Sequence, residues 1–105
     1  MKILFDQGTP GPLRHALAGH RVQTAFEMGW STLKNGELLL LAESEGFEVF
    51  VTTDTNLKYQ QNLSGRKIAI VVLLSTSWPR IQRKEMEIVS SIEGTNSEAF
   101  VEISI

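Results

Sequence analysis

The chain has 105 residues and a formal net charge of −2, enough for one domain that buries its apolar surface without disulfides or a structural metal. Hydrophobic residues make up 42%, charged residues 21%, and cysteine is absent. This excludes wholesale disorder, a disulfide scaffold, a thiol nucleophile and cysteine-ligated zinc or iron–sulfur sites, and the charge balance excludes a strongly basic nucleic-acid coat.

Ile3, Leu4 and Phe5 form a short apolar run ending at Asp6, the pattern of a strand buried on both faces of a parallel sheet. The run is too short for a signal peptide, and Ile68 to Leu74 is too short to cross a membrane. A cytoplasmic protein with no membrane partner is expected. Pro10 and Pro12 predict a short helix starting between Thr9 and Pro12, with Leu13, Ala16 and Leu17 inward and Gly19 closing it. His20 to Thr24 alternates weakly, as a second strand does. Ala25 to Leu33 has no clear period. Asn35 is a good N-cap for the clearest helix, with Glu37 in its first turn, the apolar run Leu38 to Ala42 behind it and Gly46 at its end.

Phe47 to Val51 predicts a third strand, followed by Thr52, Thr53 and Asp54. Thr55 to Leu63 predicts a short polar helix or turn, and Lys67 to Leu74, rich in Ile and Val, the strongest strand. Trp78-Pro79 opens a helix carrying Ile81, Met86, Ile88, Val89 and Ile92. Gly94 to Asn96 predicts a loop, and Ala99 to Ile105 a last strand. This alternation predicts an α/β/α sandwich with a mainly parallel sheet of about five strands, joined by right-handed crossovers that place helices on both faces.

Ligands of open α/β sheets bind beyond the carboxyl ends of the strands. That rule selects Asp6 after the first strand and Asp54 after the third. If these strands are neighbours the two carboxylates converge, with Glu37 in reach as a third. Clustered carboxylates call for a compensating hard cation such as Mg²⁺ or Mn²⁺. Helix capping or turn formation accounts for the same residues without a metal. There is no Gly-rich phosphate loop after the first strand, which argues against a nucleotide-binding domain.

Four segments, in order, resemble the small PIN-like family related to the toxin ribonucleases of toxin–antitoxin pairs. Ile3-Leu4-Phe5-Asp6-Gln7-Gly8-Thr9-Pro10 resembles its opening strand, Asp-Glu-Asn and proline. Gly19-His20-Arg21-Val22 resembles its G-H-x-V strand. Asn35 to Ala42 resembles its S-D-x-E-I-L-x-x-A helix, and Val49 to Leu57 its V-L-V-T-x-D-x-D-F segment. The resemblance covers Met1 to about Leu74. It implies a single PIN-like domain over 1–105 that holds Mg²⁺ or Mn²⁺ through Asp6 and Asp54, and hydrolyses RNA phosphodiesters. In that reading Asp6, Asp54 and Glu37 are catalytic, a protein antitoxin is the partner, and Thr52 and Thr53 are auxiliary polar groups. Asn35 and Asn56 stand where the family has acids, and Gln7 where it has Glu. Each such exchange removes one unit of charge attraction for a cation. The alternative is an inactive PIN-like binding or regulatory module.

Other residues have weaker claims. Arg80, Arg83 and Lys84 are the candidate nucleic-acid contacts, although Glu85 and Glu87 dilute them into an ordinary solvated face. Trp30 and Trp78 suit base stacking or core packing. His15 and His20 lack metal-ligand spacing and read as polar surface or turn residues. The run Leu38 to Leu41 covers more than one face of a helix, which predicts deep burial or an interface such as a homodimer.

Overall fold

The computed structural model describes residues 1–60, 66–97 and 99–105. Five parallel strands form one sheet: β1 (Lys2–Phe5), β2 (Arg21–Thr24), β3 (Val49–Thr52), β4 (Ala69–Leu73) and β5 (Phe100–Ile103), in the order β2-β1-β3-β4-β5.

The apolar residues of the inner strands sort to opposite faces by the two-residue period of a strand. Ile3, Phe5, Val49, Val51, Val71 and Leu73 join one core, and Leu4, Phe50, Ile70 and Val72 the other. The first core is closed by Leu13 and Leu17 of a 3₁₀ helix (Gly11–Leu17), Ile81 of α3 (Trp78–Arg83), and Ile88 and Ile92 of α4 (Glu85–Glu93). The second is closed by Leu38, Leu39 and Ala42 of α1 (Asn35–Ser44) and Leu57 of α2 (Leu57–Gln60). The α/β/α layering and the parallel sheet agree with the sequence.

Several local expectations are corrected. The first helix is 3₁₀ rather than α, and Ala25 to Leu33 forms turns. The last helix divides at Lys84, and Met86 points to solvent. The N-cap of α1 is Lys34, so Asn35 is the first helical residue. Of the polar segment Thr55 to Leu63, α2 is helical, and residues 61–63 lie outside those described. The Leu38 to Leu41 run lies mainly against the sheet and leaves Leu40 outward.

The crossovers do not share one hand. The 3₁₀ helix linking β1 to β2 and the α3–α4 pair linking β4 to β5 lie on the same face, yet the two connections step in opposite directions along the sheet. They therefore have opposite hands. The β2-to-β3 connection through α1, stepping back on the other face, shares the hand of the first. Uniform right-handedness would put α1 and α3–α4 on one face together. The other face, with Phe5, Val51, Val71 and Ile103, would be left to the short 3₁₀ helix alone.

Helix α1 ends in a Schellman motif. The Phe47 N–H donates to the Ala42 carbonyl at 2.9 Å, the Gly46 N–H donates to Glu43 at 3.2 Å, and Gly46 sits at φ +80°. Only glycine takes that conformation without a steric cost. Gly46→Ala is expected to destabilise the fold by about 1 kcal/mol, read as a lower urea midpoint at unchanged m-value.

Candidate functional site

The strand order reverses direction between β1 and β3. β1 leads outward to β2, and the chain then returns past β1 to build β3 and the rest of the sheet. The carboxyl ends at such a switch point form a crevice. Asp6 follows β1 directly, and its N–H donates to the Val51 carbonyl at 3.1 Å. Asp54 lies two residues beyond β3.

Asp6 is only 6% exposed. Its Oδ1 accepts from the Thr9 N–H at 3.0 Å and lies 2.7 Å from the Thr9 hydroxyl, which is also 2.9 Å from the Val51 carbonyl oxygen. Its Oδ2 accepts from the Thr52 hydroxyl at 2.5 Å and from the Asn35 amide at 3.4 Å. The fully buried Thr52 hydroxyl in turn accepts from the Asp54 N–H at 2.9 Å. One hydroxyl thus ties the two acidic segments together. Burial holds the Asp6 carboxyl above its ordinary value of 3.8, against the opposing pull of the Thr52, Thr9 and Asn35 donors.

Asn35 joins the two acids. Its amide nitrogen donates to Asp54 Oδ2 at 3.0 Å as well as to Asp6 Oδ2, which uses both amide protons. Because Asn35 begins α1, the positive end of the helix also faces the pair. Asp54 Oδ1 accepts from the Asn56 N–H at 3.0 Å. These groups line a cleft of about 360 Å³ together with Gln7, Gly8 and Lys34. A Cβ at Gly8 would lie 2.5 Å from the Thr53 hydroxyl oxygen, so the chain passes there at a distance that suits glycine.

The remaining candidates sit apart. The Glu37 carboxylate accepts from the Lys34 N–H at 3.3 Å as a helix cap and does not line the cleft. Asn56 is exposed and serves Asp54 through its backbone. Arg80, Arg83 and Lys84 are exposed and do not line the cleft, and Lys84 pairs with Glu87 at 3.4 Å. Trp30 packs edge-on against Phe47, with ring centroids 6.2 Å apart, and Trp78 packs on the first core. His20 lies between the Met1 amino group at 3.2 Å and Glu93 at 2.8 Å, and His15 is exposed. Thr9 is the residue that sequence reasoning missed. Its signal was the Asp-x-x-Thr spacing, in which a carboxylate meets the N–H three residues on.

Among the described residues, no group of three His, Cys, Asp or Glu side chains is gathered as a metal site. No protein-family model, curated protein or solved structure matches this chain.

The raised Asp6 value fixes the sign of a pH effect. Relative to the unfolded chain, native Asp6 favours the protonated form, so its contribution is fully present below pH 3.8 and is lost as pH rises through the elevated value. Thr52→Val removes a donor that favours the anion, and is expected to move the Asp6 titration still higher. Carboxyl ¹³C NMR of Asp6 reads the shift directly.

Proposed function

We propose that this chain is a PIN-like phosphodiester hydrolase that acts on RNA with Mg²⁺ or Mn²⁺, in the manner of a toxin ribonuclease. The observation that carries the reading is the meeting of Asp6 Oδ2 and Asp54 Oδ2 on one Asn35 amide, inside a cleft at the switch point of the sheet. The donor set is oxygen-rich and suits a hard cation. Asp6 and Asp54 supply two charges, and Asn35 supplies a neutral carbonyl oxygen once its amide is turned. A bound divalent cation supplies Lewis-acid polarisation of a phosphodiester and activation of water.

The protein's own groups do the rest. Thr9 and Thr52 fix the plane of the Asp6 carboxylate, as supporting hydrogen bonds do around metal ligands. Lys34 and Gln7, on the cleft wall, offer donors to phosphate oxygens. A protein antitoxin acting on such an enzyme covers this cleft. A second reading, a catalytically silent binding module, is favoured by the same bridge. The Asn35 amide already offsets the repulsion between the two acids without a cation.

Calorimetric titration with Mn²⁺ separates the two readings. Saturable sub-millimolar binding is expected for the wild type and none for the Asp6→Asn, Asp54→Asn double variant, whose Mn²⁺-dependent cleavage of single-stranded RNA is lost as well. Absence of binding in both proteins selects the silent module. Asn35→Asp adds a charge at the bridge and is expected to tighten Mn²⁺ binding by about tenfold, since one full charge is worth at least 1.4 kcal/mol at these distances.

A further inference from the structure

The chain holds Asn35, Asn56, Asn62 and Asn96, and only Asn35 is followed by glycine. The following residue matters because its backbone nitrogen can attack the asparagine side-chain carbonyl and close a five-membered ring. A side chain on the attacking residue crowds that closure, and glycine has none.

The fold puts this dipeptide where the closure is accessible. Asn35 and Gly36 are the first two residues of α1. The intrahelical ladder starts later, with the Leu38 N–H donating to the Lys34 carbonyl at 2.9 Å, and the Gly36 N–H has no carbonyl four residues back within the helix. The N-cap is Lys34, outside the residue types that hold a helix start, and glycine is a poor helix former. The first turn therefore opens more readily than the turns behind it, which pack Leu38, Leu39 and Ala42 into the second core. Asn35 and Gly36 are half-buried and line the open cleft, so water reaches both. What holds the turn closed is the Asn35 amide, 3.0 Å from Asp54 Oδ2 and 3.4 Å from Asp6 Oδ2.

We infer that Asn35 is a deamidation site, and that its slow conversion to a carboxylate strengthens the cleft as a cation site. The Gly36 nitrogen bonds to Asn35 Cγ, its proton passes to water, and the side-chain nitrogen leaves as ammonia. Water then opens the resulting succinimide. Cleavage between the nitrogen and Cγ gives aspartate, and cleavage at the main-chain carbonyl gives isoaspartate, in which the chain runs through the former side chain. Overall one water is consumed, one ammonia is released, and nothing is oxidised or reduced. The aspartate form replaces the amide that separates Asp6 from Asp54 with a third carboxylate, and three carboxylates call for a compensating cation. This consequence rests on the cation reading above and adds its regulation, because the age of the chain sets the charge of the site.

The test is incubation of the purified chain in warm, mildly alkaline buffer, followed by peptide mass spectrometry and Mn²⁺ calorimetry. The peptide holding Asn35 is expected to gain the mass difference between NH and O, ahead of the peptides holding the other asparagines. Gly36→Ala puts a better helix former in the first turn and a methyl group on the attacking residue, and is expected to lose that gain. The aspartate form, separated by ion exchange, is expected to bind Mn²⁺ about tenfold more tightly than the fresh protein, as Asn35→Asp does. An Asn35 peptide that stays unchanged, or a mass gain that persists undiminished in Gly36→Ala, overturns the inference. Its failure is distinct from failure of the cation reading. Deamidation at Asn35 with no Mn²⁺ uptake by the fresh, aged or Asn35→Asp protein keeps the modification and removes the cation. Mn²⁺ uptake by Asn35→Asp beside a wild-type Asn35 that stays intact keeps the cation and removes the modification.

Discussion

A sheet whose strands all run the same way carries apolar side chains on both faces, and both faces must be covered. Much else in this protein follows from that requirement. The 3₁₀ helix alone is too short to cover the face of Phe5, Val51 and Val71, and α3 and α4 are placed beside it. The departure from a single crossover hand is the result. On the opposite face α1 packs through Leu38, Leu39 and Ala42, which aims its first turn at the carboxyl ends of β1 and β3. Core packing therefore delivers Asn35 to the two acids.

At that point charge becomes the governing term. Asp6 is withdrawn from water, and its carboxylate keeps company with donors from three separate segments: Thr9 after β1, Thr52 at the end of β3 and Asn35 at the start of α1. Burial still dominates over these donors. Asp54 is less buried and nearer to solvent. Two carboxylates with unlike surroundings share one amide.

Much of this was legible in the residues. The unbroken apolar runs of β1, β3 and β4 marked strands buried on both sides, and the rule for strand ends picked out Asp6 and Asp54 before any neighbour relation was known. Asn35 was legible as a helix start but misread as a cap, because its side chain is claimed by two carboxylates remote in sequence. Glu37 was misread the other way, since its first-turn position suits the backbone N–H of Lys34 as readily as a distant site. The hand of the β4-to-β5 connection was not legible, because it answers to the area of a whole sheet face and to no local pattern. Trp30 and Trp78 drew attention by type, whereas burial is a property of the assembled fold, which packs Trp30 on Phe47 and Trp78 on the first core.

The two outer strands differ from the inner three in one further respect. Val49–Thr52 and Ala69–Leu73 hold no charge and Lys2–Phe5 only the half-buried Lys2 at its first position, whereas β2 carries Arg21 and β5 carries Glu102, both exposed. An open parallel sheet ends in unpaired backbone groups on each side, ready to accept another extended chain. A strand from a neighbouring molecule approaching either border must desolvate one of these charges to extend the ladder. Aggregation by edge-to-edge growth is opposed at the two places where the architecture invites it.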